Sequence, residues 1–336
     1  MMDAYTLAII FAALTGLSVI VYALLDGYDL GVGILFPLGR DTESEQQRDT
    51  MIASIGPFWD ANETWLVLAI GLLLIAFPAA HSLVMFHLYL PIVIMLIGLI
   101  MRGVAFDFRA KAAVDHKYTW DMCFKAGSLI TSLSQGYMLG LFVLGFDESA
   151  LALMFAVVSA IGVTTAYAYI GSGWLIMKTE HQLQQRAIKW AQIAGRLTAV
   201  GIVAVSVINP MVNPSVFDRW FQMPLAMFVL LIPALCIAAF IVNDRLLARL
   251  PKPDDRHCYW PFILAAIIFI SSFVALGFSF MPDIVPGKMT IWQAASAPES
   301  LTFILYGAVI VVPVILAYTV FAYKVFHGKA TDLKYY

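Results

Sequence analysis

TWLVLAIGLLLIAFPAAHSLVMFHLYLPIVIMLIGLIM, residues 64–101, runs for 38 residues without an aspartate, glutamate, lysine or arginine. A helix rises about 1.5 Å per residue and a bilayer's hydrocarbon core is about 30 Å thick, so about 20 apolar residues make one crossing. The stretch is too long for a single helix, and FPAAHS at 77–82 is a natural turn within it. It therefore predicts two adjacent spans. Working outward, further charge-free stretches lie at 4–25, 126–146, 151–177, 197–217, 220–242, 257–282 and 300–323. The expected architecture is an all-α integral membrane protein with nine transmembrane helices in one transmembrane domain, 1–336. Its spans are expected near 5–37, 52–77, 81–108, 121–145, 150–178, 187–208, 220–247, 258–281 and 300–326.

Composition agrees. The 336-residue chain is 61% hydrophobic and 12% charged, about half the charged share of a soluble domain. So few charges could not cover a water-facing surface, whereas lipid removes that need. The net charge of −2, with no basic domain, excludes nucleic acid as a partner. Cys123, Cys236 and Cys258 have neither a CxxC spacing nor a metal-ligand cluster, so they read as small apolar side chains. MMDAYTLAII lacks the basic start of a cleaved signal peptide and reads as a retained first span.

Charge asymmetry gives the direction. With the N-terminus periplasmic and the C-terminus cytoplasmic, 16 of the 20 basic residues fall in cytoplasmic segments. Arg219 and Lys288 fall outside, while Lys125 and Arg196 sit near cytoplasmic helix ends. No loop exceeds about 20 residues, which leaves no extramembrane domain. The longest outer connection, 283–299, reads as an irregular Pro/Ser-containing loop.

Ionisable groups inside a membrane helix cost about 2.5–3.5 kcal/mol each on insertion scales, so they ask for a function. Three clusters qualify. In LLDGYDLGVG, 24–33, Asp26 and Asp29 share one helical face, and Gly27, Gly31 and Gly33 would let another backbone approach closely. The bland alternative is a frayed helix end in cytoplasmic water. In GPFWDANETWLV, 56–67, Asp60 and Glu63 share a face beside Trp59, after a kink or helix start at Gly56–Pro57. First-turn macrodipole complementation would account for one of these acids. In MRGVAFDFRAK, 101–111, Arg102, Asp107 and Arg109 carry mixed signs at the end of span three. Asp107 and Arg109 are two apart and share no face, so their bonds are expected to reach other helices. Ion-pair or anchoring roles compete evenly there.

Left unpaired, these groups would cost on the order of 10 kcal/mol. Mutual pairing, protonation or a hydrated cavity relieves that cost, and each describes a proton-conducting route. His81 and His87 belong near one face, and His116, His181, His257 and His327 near the other. None faces another across a span, so haem or metal ligation by this chain is not expected. A proton-coupled secondary transporter is the rival reading, although its charged site would belong nearer the midplane.

At these same segments the chain resembles a known family. DGYDLGVG at 26–33, GPFWDANETWLV at 56–67, FDFRAK at 106–111, MPDIVPGKMTIWQAASAPESL at 281–301 and PVILAYTVFAYKVF at 313–326 look like subunit II of the cytochrome bd-type quinol oxidases. The shortness of 145–280 suits the cyanide-insensitive branch. The resemblance implies a subunit of a terminal oxidase in the bacterial inner membrane, oxidising quinol and reducing dioxygen to water. It places haems b and d on the partner, subunit I, and no catalytic residue on this chain. It further implies a structural quinone, bound lipids, small accessory subunits, and a cytoplasmic proton path carrying Asp26, Asp29, Asp60, Glu63 and Asp107. Arg102, Arg109 and Trp59 would be ion-pair or structural residues.

Overall fold

The structure is a computed structural model that describes residues 3–111, 114–212, 214–223, 226–252 and 255–330. It is helical apart from one small hairpin. In chain order the elements are α1 Ala4–Ile34, α2 Thr42–Ile55, α3 Trp59–Ala76, α4 Pro78–Lys111, α5 Val114–Val143, α6 Ala150–Lys178 and α7 His181–Val212. They continue as α8 Pro214–Phe221, α9 Ala226–Val229, α10 Leu231–Leu247, α11 Trp260–Phe280, β1 Asp283–Val285, β2 Met289–Thr290, α12 Ile291–Ala294 and α13 Pro298–Val325. Among the described residues seven helices are long and apolar enough to cross a membrane: α1, α3, α4, α6, α7, α11 and α13.

The two remaining expected crossings differ for physical reasons. Helix α5 is long enough, but it turns Asp121, Ser128, Thr131, Ser132 and Ser134 into the bundle, where all are buried. Its polarity faces protein, which lowers its mean hydropathy without exposing charge to lipid. The segment 220–247 is broken into pieces rather than forming one helix; residues 224 and 225 within it lie outside the described residues. Helix α10 begins only at Leu231. Pro233 lacks an N–H, so the Val229 carbonyl loses its helical partner where α9 gives way to α10.

The expected span 52–77 is also corrected at its start. Residues 52–55 belong to α2, a polar helix that buries Ser44, Gln47, Arg48, Met51, Ile52 and Ile55 on one face and lies against the bundle. Asp41 caps it, accepting from the Ser44 amide at 2.9 Å. Gly56 keeps helical dihedrals and closes α2 with its amide on Ile52 O, and α3 starts afresh at Trp59. The turn expected at 77–82 lies at Phe77, between α3 and α4.

Helix α1 runs through the centre, packed by α3, α5 and α6. Its closest approach is at Gly31, where a β-carbon would stand 1.9 Å from the Tyr167 carbonyl oxygen of α6; a β-carbon on Gly171 would stand 2.6 Å from the Gly31 carbonyl carbon. Only two glycines let these backbones meet.

Two apolar clusters fill the ends. One gathers Tyr28, Phe58, Trp174 and Ile268 beside the acids; the other gathers Leu7, Phe11, Phe77, Leu88, Val285 and Leu301. The second is closed by 283–299, which is folded rather than irregular. Strands β1 and β2 pair antiparallel, Thr290 and Gln293 form a capping box, and Trp292 stacks on Tyr5 at 4.3 Å. Ser296 ties the segment to α3, its amide donating to Ala76 O and its hydroxyl to Ile75 O. Outward, α4 and α13 expose Phe86, Ile100, Phe303 and Ile310, which suits a hydrocarbon surround.

Candidate functional site

Helix α1 does not fray at its acids. It continues two turns past Asp26, and both Asp26 and Asp29 are fully buried. Three helices complete their surroundings. Arg102 of α4 donates from Nη2 to Asp26 Oδ1 at 2.5 Å, and the same nitrogen lies 4.0 Å from Glu63 Oε2 of α3. Neither Arg102 nor Asp26 is exposed, while Glu63 is 26% exposed, so the acids lead from the bundle interior toward its surface. Trp59 covers the guanidinium, 6.0 Å from ring centroid to Arg102 Cζ, and is held by Phe106 at 4.7 Å.

Asn62 connects the second acid. Its Nδ2 reaches Asp29 Oδ2 at 2.8 Å and the Tyr28 hydroxyl at 2.9 Å. Tyr323 of α13 donates to Asn62 Oδ1 at 3.1 Å, and its hydroxyl meets that of Tyr28 at 2.6 Å. The cluster is nonetheless incompletely satisfied. Asp26 Oδ2, Asp29 Oδ1, Arg102 Nε and Arg102 Nη1 are buried without a protein hydrogen-bond partner. Such atoms cost about 1–3 kcal/mol each when unmet, more when charged, so this site calls for water or a mobile proton between them.

The sequence-derived residues thus divide. Asp26, Asp29, Glu63, Arg102 and Trp59 come together. Asp60 lies exposed in the first turn of α3, near Glu63, a position that also matches macrodipole complementation. Asp107 is on the exposed face of α4, apart from the cluster. Arg109 turns to a second centre: Asp121 of α5 accepts from Arg109 Nε and, at 2.7 Å, from Arg48 Nε of α2, while Arg109 Nη2 reaches Asp49 at 2.6 Å. Arg48 Nη1 also donates to Pro37 O and Gly39 O, and Lys125 donates to Ile34 O and Phe36 O past the end of α1. These bonds clamp the α1–α2 connection against α4 and α5.

In the described residues His87, His181 and His327 have separate surroundings. His87 bonds Leu83 O at 3.0 Å and stacks on Phe146 at 4.7 Å, while His181 is 93% exposed and His327 bonds Lys324 O. No three His, Cys, Asp or Glu side chains gather as a metal site among them.

Residues 7–326 match the family described as cytochrome bd terminal oxidase subunit II. The chain belongs to that family. It is similar to the cytochrome bd-I ubiquinol oxidase subunit 2 of Escherichia coli (strain K12), 27% identical over 98% of this chain and 97% of the relative. It is also 28% identical to the cytochrome bd ubiquinol oxidase subunit 2 of Bacillus subtilis (strain 168), over 91% of this chain and 92% of that one. The fold matches a chain of the bd oxidase from Geobacillus thermodenitrificans with a TM-score of 0.77 at 17% identity, covering 96% of this chain and 99% of the other. The chain is a multi-pass membrane protein and a subunit of a terminal oxidase complex, in a haem-dependent family whose second subunit implies a first.

Sequence reasoning missed Asn62, Tyr28, Tyr323 and Asp121. Asn62 stands between Asp60 and Glu63, and Asp121 precedes Lys125 by one helical turn. Those spacings were the available signals.

Proposed function

We propose that the Asp26–Arg102 cluster takes up protons from the cytoplasm for dioxygen reduction on the haem-bearing subunit I of a quinol oxidase. The observation that carries this reading is a set of fully buried carboxylate and guanidinium atoms without hydrogen-bond partners, opening through half-buried Glu63 toward exposed Asp60. Reducing one dioxygen to two waters consumes four protons, and drawing them from one side while quinol releases protons on the other makes turnover electrogenic. Each charge moved across 100 mV corresponds to about 2.3 kcal/mol.

In this reading Asp60 receives protons, Glu63 passes them inward, and Asp26 and Asp29 hold them beside Arg102. The positive charge of Arg102 balances one ionised aspartate of the buried pair. Asp107 serves as a second surface acid. The haems, b and d on subunit I, supply the oxygen chemistry. Nine crossings fit best, with α5 and a crossing assembled from α9 and α10 joining the seven apolar helices. The basic residues then place the N-terminus in the periplasm and the C-terminus in the cytoplasm of a bacterial inner membrane; Lys334 of that tail lies outside the described residues. The quinol of the named relatives, a structural quinone, lipids and small accessory subunits are the expected associates.

The test is quinol-driven oxygen consumption by the purified complex bearing Glu63→Gln or Asp60→Asn. Slow turnover with the haem spectrum retained supports the path. Wild-type turnover in both removes it, and loss of haem would assign the acids to assembly.

A further inference from the structure

Two buried tyrosines and a partly buried glutamine outside the acid cluster form a chain that ends at Tyr22, one turn from Asp26. Tyr167 of α6 donates its hydroxyl proton to Gln135 Oε1 of α5 at 2.7 Å. Gln135 Nε2 donates in turn to the Tyr22 hydroxyl oxygen of α1 at 2.6 Å. With its oxygen already accepting, Tyr22 still has its own proton to give. Tyr22 precedes Asp26 by four residues, so the two share a face of α1.

Asp26 has one oxygen taken and one open. Oδ1 accepts from Arg102, whereas Oδ2 is buried without a partner. Both bonds of the chain run from α6 through α5 to Tyr22, one helical turn before Asp26. Only this orientation of the Gln135 amide leaves the Tyr22 proton free; a half-turn would make Oε1 accept it instead. Gly27, beside Asp26, makes the approach of α6 possible. A β-carbon there would stand 2.7 Å from Tyr167 Cε1, so the ring lies where any other residue would put its side chain.

We infer that Tyr22, Gln135 and Tyr167 are positioning residues of the proton site, a one-directional donor chain that supplies the second hydrogen bond to the Asp26 anion. Mere fastening of α1, α5 and α6 would need the contacts but no particular direction. The chain acts on Asp26 alone, setting how readily its carboxylate accepts and gives up a proton. The inference rests on the reading of Asp26 as part of the uptake path.

The experiment compares Tyr22→Phe, Gln135→Met and Asp26→Asn in the purified oxidase complex. It measures quinol-driven oxygen consumption, haem absorption, and the carboxyl bands of the infrared difference spectrum between oxidised and reduced enzyme. Tyr22→Phe and Gln135→Met are expected to keep their haems and lower kcat about fivefold, the scale of one net hydrogen bond, without changing the KM for quinol. Both should shift the carboxyl band that Asp26→Asn abolishes. Wild-type kcat with an unmoved band in both variants overturns the chain. So does loss of haem in both, which would make it a fastening. If Asp26→Asn is slow while the other two match wild type, this inference alone falls; if Asp26→Asn itself turns over normally, the uptake path falls with it.

Discussion

Arg102 and Asp26 meet at 2.5 Å with neither side chain exposed, joining α4 to α1 inside the bundle. Removing one member of such a buried pair strands the other, a loss of about 3–5 kcal/mol. Arg102→Met is therefore expected to lower the temperature at which the purified complex loses its haem spectrum. The double variant Asp26→Asn/Arg102→Met should recover part of that loss, because no bare charge remains. An additive double variant would show that the two do not act as a pair.

Asp121 carries a comparable burden, accepting from Arg48 and Arg109 at once. Asp121→Asn leaves two arginines short of an anion, and about 3 kcal/mol of destabilisation is expected. The visible effect should be local. The α2 segment should become sensitive to limited proteolysis before the rest of the chain, and unchanged cleavage kinetics would refute the clamp.

The crossing of α1 and α6 leaves no room at Gly31. Gly31→Ala places a methyl carbon 1.9 Å from the Tyr167 carbonyl oxygen, a backbone atom that cannot swing aside. We expect sharply reduced yield of assembled complex from native gels. Gly71→Ala, where nothing lies within 4 Å, serves as the tolerated control. Equal yields from the two would contradict the close approach.

At the membrane surface, the Ser44 amide and then its hydroxyl hold the Asp41 carboxyl below the usual aspartate range. A depressed carboxylate adds stability above the unfolded pKa of about 3.9 and loses it as pH falls through the lower folded value. Asp41→Ala should therefore speed amide exchange in the first turn of α2 at neutral pH. Wild type should approach the variant only below about pH 4. Identical exchange at pH 7 would show that the cap does not stabilise α2.

Much of this was legible in the sequence because a membrane makes charge conspicuous. Asp26, Asp29 and Glu63 announced themselves by standing in apolar helices, and the two-residue spacing of Asp107 and Arg109 required partners on other helices. Arg109 found one in Asp121. What stayed hidden was long-range pairing. Tyr323 meets Asn62 across 261 positions, and no local pattern marks Tyr323. The exposure of Asp107 and Asp60 was hidden too, since a charge near a helix end looks alike whether it faces the bundle or its surface. The hairpin at 283–299 was hidden because Pro and Ser suggest irregularity, while its order comes from Trp292 on Tyr5 and Ser296 on α3.

The apolar cluster at the far end of α1 has an electrical meaning. From Asp26 back to Phe11 the helix covers about 22 Å, and Tyr22 is the only ionisable side chain between them. Beyond it Leu7, Phe77, Leu88 and Val285 close together under the hairpin. That end behaves as a dielectric plug. On the proposed uptake path, this packing opposes leakage straight across from the acids. Protons taken up there would then pass sideways, toward a neighbouring subunit.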